Sequence, residues 1–374
     1  MGQRPHLSRY RWDGVFGAEF TLAAARARVR ALADALLARR WSCLVAYDTR
    51  FMASQYALDA YRQLEARGVA ASFGPAPAPF PAVELALDQR KADCALIVSA
   101  GNRPYWYGGL HVLAPGDLPP LDEAHAAAQD EPPFPPLPLE PGDRGQLDLR
   151  APYLESLRAA VDLETIRRAP LTVFVDAMNG SASGLVPSAI GEGAQAKAVE
   201  INRETDALFG RQTPQPAEVG LNRLRKLVKD SESQLGVALS ADGRAIGVTD
   251  HIGEIVPPLD LALLLARYLS GEHRQRGLVV APAGSAEPSG GLRVWEEATG
   301  LKVELAPDPA ARVAEVAGRD RGALLVGVSA AGEVTMGRYG ATPDGTLAAL
   351  VLTEIVARYS EKLRPLVEKA KGKH

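Results

Sequence analysis

Along the chain, short uninterrupted apolar runs alternate with longer stretches in which apolar residues recur at helical spacing. Residues 22–39 follow Phe20-Thr21 and are rich in Ala, Leu and Arg, which predicts an amphipathic helix with a threonine cap. The run 41–47 reads as a strand that ends in Asp48-Thr49-Arg50. A helix over 53–67 closes at Gly68, a strand over 69–73 stops at a Pro/Ala-rich turn, and a helix over 81–91 precedes a strand at 94–98. Three rounds of this alternation predict an α/β fold with a mixed or parallel sheet covered by helices.

The same texture returns twice. A helix over 152–168 leads to a strand at 171–175 and a Gly-rich exit through 176–184, which reads as a tight turn or, less specifically, a phosphate cradle. A strand at 196–201 and a helix at 217–230 follow, and the apolar runs 235–239 and 245–249 flank Asp242-Gly243 in the pattern of a short hairpin. The last unit has a helix at 258–270, strands near 277–281, 301–305 and 322–328, and a long Ala/Leu helix over 342–367. Between 114 and 150 the prolines and acids suit neither a helix nor a sheet interior. A solvated linker or long surface excursion is expected there, with a polyproline II docking peptide as the alternative. The expected boundaries are 1–113, 114–150, 151–256 and 257–374, giving three consecutive α/β/α domains.

Composition narrows the function classes. A chain of 374 residues is too long for one core. The formal net charge of -3 gives no electrostatic reason to expect nucleic acid or an anionic membrane as a partner. No apolar stretch is long enough to span a bilayer and none at the N-terminus resembles a signal peptide, so the expected location is cytoplasmic. Cys43 and Cys94 lie in apolar runs and read as buried free thiols. The six histidines are scattered, with no pair at ligand spacing.

In open α/β sheets, chemistry collects just past the carboxyl ends of strands. The loop after 94–98 offers Ser99, Gly101, Asn102 and Arg103 before Pro104, and no acid or base. Several other stretches occur in one consistent order: Val45-Ala46-Tyr47-Asp48-Thr49-Arg50-Phe51, Pro79-Phe80-Pro81-Ala82, Leu163-Glu164-Thr165-Ile166-Arg167 and Val175-Asp176-Ala177-Met178-Asn179-Gly180. Glu200-Ile201-Asn202, Asp206-Ala207-Leu208-Phe209-Gly210, Gln215-Pro216 and Ala341-Thr342-Pro343-Asp344-Gly345-Thr346-Leu347-Ala348-Ala349-Leu350 continue the series. Together they resemble the phosphohexomutase family, the phosphoglucomutases and phosphomannomutases, over almost the whole chain.

The resemblance implies four α/β domains around a cleft, a phosphoserine nucleophile acting through a bisphosphate, and Mg²⁺ held by three aspartates. It also implies a loop that reads sugar hydroxyls and a fourth domain that grips phosphate. The nucleophile loop, Thr-Ala-Ser-His-Asn-Pro in the family, corresponds to Ser99-Ala100-Gly101-Asn102-Arg103-Pro104, so Gly101 stands at the phosphoserine position. Glycine has no oxygen for covalent transfer, and loss of such a nucleophile costs on the order of a millionfold. Ser99 is two residues away, and in-line transfer tolerates a misplacement of only about 1 Å. The metal loop, Asp-Gly-Asp-x-Asp-Arg in the family, corresponds to Ser240-Ala241-Asp242-Gly243-Arg244-Ala245, which predicts no metal site. The sugar loop, Gly-Glu-x-Ser-Gly in the family, corresponds to Val328-Ser329-Ala330-Ala331-Gly332, and Arg312 lies beside the family's basic position. The N-terminal loop falls on Arg9-Tyr10-Arg11-Trp12-Asp13-Gly14, and no match for a fourth domain follows.

Structural signatures persist while chemical positions change, which predicts a catalytically inactive family member acting as a binding, regulatory or scaffold protein, with no cofactor. Two alternatives stand beside it. One is a sensor of hexose phosphate or nucleotide sugar, or a residual intramolecular phosphotransferase, with Arg9, Arg11, Arg103 and Arg244 supplying charge. The other makes Tyr105, Trp106 and Tyr107 an interface for a protein partner or self-association, unless these rings only fill vacated space.

Overall fold

The uninterrupted apolar runs become strands covered on both faces. The computed structural model describes residues 8–119, 121, 133–134, 145–288 and 290–372 and carries three sheets. One compact unit comprises the described residues up to Tyr153 with Asn179–Ser181 and Thr205–Pro214. Its elements are β1 (Ser8–Val15), α1 (Leu22–Arg39), β2 (Cys43–Tyr47), α2 (Ala53–Ala66), β3 (Ala71–Phe73), α3 (Phe80–Asp88), β4 (Cys94–Val98) and β5 (Tyr107–Ala114). The sheet order is β1-β5-β4-β2-β3. β2 runs parallel to β3 and β4, and β5 is antiparallel to both β4 and β1. β2 and β4 are central and buried throughout, each apolar side chain contributing about 1.5–3 kcal/mol on burial. Thr21 caps α1 through its hydroxyl, which accepts from the Ala24 amide. Cys43 and Cys94 are free and buried, at paired positions of β2 and β4.

Two strands here are absent from the sequence reading. In β1, arginines and aromatics alternate without a continuous apolar run, because one edge of the sheet is solvated. β5 begins at Tyr107, inside the cluster read as an interface. Residues 120, 122–132 and 135–144 of the Pro-rich segment lie outside the described residues. Of its remainder, Leu121 is buried in the first core and the Phe134 ring meets Tyr56 at 5.4 Å.

The second unit carries two sheets. After α4 (Arg150–Ala160) come α5 (Leu163–Arg168), β6 (Thr172–Asp176), α6 (Leu185–Ile190), β7 (Lys197–Ile201), α7 (Asn222–Asp230), β8 (Leu235–Leu239) and β9 (Ile246–Asp250), in sheet order β7-β6-β8-β9. The expected hairpin is β8 and β9, antiparallel, with Gly243 at φ 76° in its turn. The single helix expected over 152–168 is two, because Asp162 caps a new start by accepting from the Thr165 amide. The third sheet, ordered β11-β10-β12-β13, follows α8 (Pro258–Glu272) and is built from β10 (Leu278–Pro282), α9 (Gly291–Thr299), β11 (Lys302–Ala306), α10 (Pro309–Arg319), β12 (Leu324–Val328) and β13 (Val334–Met336). The closing helix also divides, into α11 (Gly345–Tyr359) and α12 (Leu363–Ala370), at Ser360, whose φ of 51° ends the first.

Candidate functional site

The first candidate loop is positioned by the parallel pairing of β2 and β4. Tyr47 and Val98 are register partners, so the next residues, Asp48 and Ser99, leave the sheet side by side. The Ser99 hydroxyl donates to Asp48 Oδ2 at 2.6 Å and accepts from the Gly101 amide at 2.9 Å. Both Asp48 and Ser99 are 1% exposed. Gly101 sits at φ 55°, a left-handed conformation that suits glycine.

Arg50 holds the rest of this loop. Its Nε donates to Asp48 Oδ2, Nη2 to the carbonyls of Gly101 and Arg103, and Nη1 to those of Pro104 and Tyr107. All five guanidinium N–H groups are thus spent on holding the turn in shape. The Phe209 ring lies 5.2 Å from the guanidinium carbon, so Arg50 is covered as well as bonded. Asn102 Oδ1 is buried without a hydrogen-bond partner among the described residues.

The sequence-predicted arginines of this unit all have carboxylate partners. Arg9 pairs with Glu84 at 3.1 Å. Arg11 and Arg103 share Asp13, each at 2.7 Å, which leaves one positive charge in excess. Arg103 also lies over the Tyr107 ring. Trp106 is 49% exposed and meets Tyr105 edge-on at 4.9 Å. Its carbonyl accepts from the Phe16 amide, and the Phe16 ring meets that of the half-exposed Phe51 at 5.4 Å.

The second candidate loop lies in the other unit. The Ser240 hydroxyl donates to Asp242 Oδ1 at 2.7 Å, and the Arg244 amide donates to the same oxygen. Arg244 Nε and Nη2 both donate to Asp242 Oδ2, at 3.0 and 2.8 Å. Burial alone would push the Asp242 carboxyl up, but the Arg244 guanidinium and the three kinds of hydrogen bond outweigh it and hold the group below its ordinary range. Arg244 Nη1 also approaches Glu333 at 3.6 Å, and the Ile246 amide donates to the Gly332 carbonyl. These contacts bring the turn containing Ser329 against the hairpin. Ser329 Oγ is occupied in accepting from the Glu333 amide. Arg312 stands on α10, paired with Glu304 and Glu315.

A divalent cation does not fit the second loop. Asp242 is its only carboxylate, and the guanidinium already covers one of its oxygens. Among the described residues no three His, Cys, Asp or Glu side chains come together as a ligand set. The Gly-rich exit after β6 is likewise occupied. Glu200 accepts from the Gly184 amide at the start of α6, and Asp176 accepts from the Met178 amide and from Asn202.

Asp13, Asp48, Arg50 and Glu333 were not singled out by sequence reasoning as site residues. Asp48 and Arg50 carry a signal, since they end the strand next to the one that carries Ser99. Glu333 carries none, because its role depends on how two turns meet.

Sequence profiles described as "Phosphoglucomutase/phosphomannomutase, alpha/beta/alpha domain I" and "domain II" match residues 8–131 and 151–253. A phosphoglucomutase/phosphomannomutase of Thermococcus kodakarensis is 27% identical over 305 residues, 78% of this chain and 63% of its own length. A phosphoglucosamine mutase of Erythrobacter litoralis is 29% identical over 288 residues, 75% of this chain and 61% of its own length. The chain therefore spans less than two thirds of these relatives. The solved structure of a protein assigned as a phosphomannomutase from Thermus thermophilus matches with a TM-score of 0.82 at 23% identity, covering 100% of this chain and 84% of that one. That of a phosphoglucomutase/phosphomannomutase family protein from Burkholderia thailandensis matches with a TM-score of 0.73 at 20% identity, covering 99% and 78%.

Proposed function

The chain belongs to the phosphoglucomutase/phosphomannomutase family, and we propose that within it this protein binds rather than transfers phosphate. One observation carries this reading. At the position corresponding to the family's phosphoserine stands Gly101, and the nearest hydroxyl, Ser99, is buried, donating to Asp48 and accepting from the Gly101 amide. A nucleophile must approach phosphorus in line, and Ser99 is enclosed and two residues from the family's position. The second loop adds support, because Asp242 carries a guanidinium where Mg²⁺ would need open oxygens.

The partner class favoured by the surface is another protein. Trp106 and Phe51 are half-exposed aromatics of the same unit, and such residues are enriched at interface centres. The Arg11–Asp13–Arg103 group supports a second reading, recognition of a phosphorylated sugar, because its net charge is positive. Incubation with a hexose bisphosphate followed by intact-protein mass spectrometry tests the main reading. An unchanged mass supports it, and a phosphoryl adduct on the wild type overturns it. A hexose phosphate that raises Tm without phosphorylating the protein moves the assignment to the second reading.

A further inference from the structure

A cavity of about 430 Å³ lies in the second unit between β9, the turn at 330–332 and the segment 254–258. Its volume falls in the range of small-molecule sites, about 300–1,000 Å³. Leu221, Ile246, Val248, Leu261 and Val328 supply apolar wall, and Pro216, Pro257 and Pro258 stiffen it. Gly247 permits this packing, since a Cβ there would meet Pro216 at 2.8 Å.

The charge around this cavity is one-sided. Glu218 lines it, is exposed, and has no ion-pair partner among the described residues. Glu254 also lines it, and its guanidinium partner, Arg225, stays 3.8 Å away. Arg225 Nε is committed to the Gly253 carbonyl at 2.6 Å. Next to the 330–332 wall, Asp242 and Glu333 share the single guanidinium of Arg244. Of the charged side chains that line the cavity itself, two are carboxylates and one is a guanidinium.

From these features we infer that the cavity binds a small organic cation, an ammonium or guanidinium group on an apolar body. The body fills the proline-stiffened wall, and the charged head lies at Glu218 and Glu254. A carboxylate of the same shape meets the excess negative charge and is rejected. No residue of the first unit takes part, so the inference is independent of the proposed loss of phosphotransfer.

Isothermal titration calorimetry with 4-phenylbutylammonium and with 4-phenylbutyrate at neutral pH tests it. The expected result is saturable binding of the ammonium at one site, with a preference of about tenfold over the carboxylate. Glu218→Gln with Glu254→Gln should reduce that preference to near unity while the protein keeps its melting temperature, because both side chains are exposed. Ala331→Leu should weaken the ammonium by narrowing the cavity. Equal binding of the two probes, a preference that survives the double substitution, or no saturable binding to the wild type would overturn the inference.

Discussion

Ser99 Oγ lies 2.6 Å from Asp48 Oδ2, and neither side chain reaches solvent. Adjacent parallel strands end at these two residues, so the contact follows from sheet register and needs no special loop. It makes Ser99 a strut of the turn. Its hydroxyl sets the Gly101 amide on one side and anchors the Asp48 carboxylate on the other.

Removing that strut should show as lost stability. Ser99→Ala leaves the buried Gly101 amide without its acceptor and Asp48 with one donor fewer. A loss of about 1–3 kcal/mol is expected in urea unfolding. A change below about 0.5 kcal/mol would mean the turn is held by Arg50 alone.

Glycine at 101 should be a conformational requirement as well as a chemical one. With φ at 55°, Gly101→Ser should cost about 1–2 kcal/mol. Gly101→Asn should cost less, because asparagine tolerates this region better. Equal unfolding midpoints for wild type and serine variant would contradict the geometry.

The Asp242–Arg244 pair should make stability depend on pH in a defined direction. The folded-state pKa of Asp242 is depressed, so its contribution is fully present above the unfolded value of about 3.9 and is lost as pH falls through the lower folded value. Arg244→Met strands a buried carboxylate and should cost about 3–5 kcal/mol at neutral pH. That deficit should shrink as pH falls from neutral, first because burial raises the stranded carboxyl so that it protonates in the folded variant, and below about pH 4 because the wild type loses the contribution of the pair. A deficit constant between about pH 7 and pH 3 would show that the pair is not the cause.

Trp106 should govern association. If it forms the centre of a contact between copies, Trp106→Ala weakens that contact by at least about 2 kcal/mol, roughly thirtyfold in the dissociation constant. Multi-angle light scattering across a concentration series reads this as a shift toward the 39.7 kDa monomer. Identical monomeric profiles for both proteins would exclude self-association through Trp106.

Much of the scaffold was legible because its signals are local. The run Cys94–Val98, the threonine cap before α1 and the Asp242-Gly243 turn each specify their element with residues a few positions apart. β1 was not legible, since a half-solvated edge strand of alternating arginines and aromatics lacks an apolar run. The breaks at Asp162 and Ser360 were missed because the flanking sequence keeps its helical texture through them. Within the site, Gly101 and Arg244 were visible as expected departures from the family the sequence resembles. Their consequences were not, because they depend on pairs distant in sequence, such as Asp48 with Ser99 and Arg244 with Glu333.

Turnover reads phosphoryl transfer by this chain without an intermediary. Purified protein should be assayed with glucose 1-phosphate and mannose 1-phosphate, with Mg²⁺ and a hexose bisphosphate primer, beside its Ser99→Ala and Gly101→Ser variants. The expected result is background rates for wild type and Ser99→Ala, whatever the Mg²⁺ concentration. Wild-type turnover above background that Ser99→Ala abolishes would contradict it, by showing that the buried hydroxyl leaves its partners and reacts.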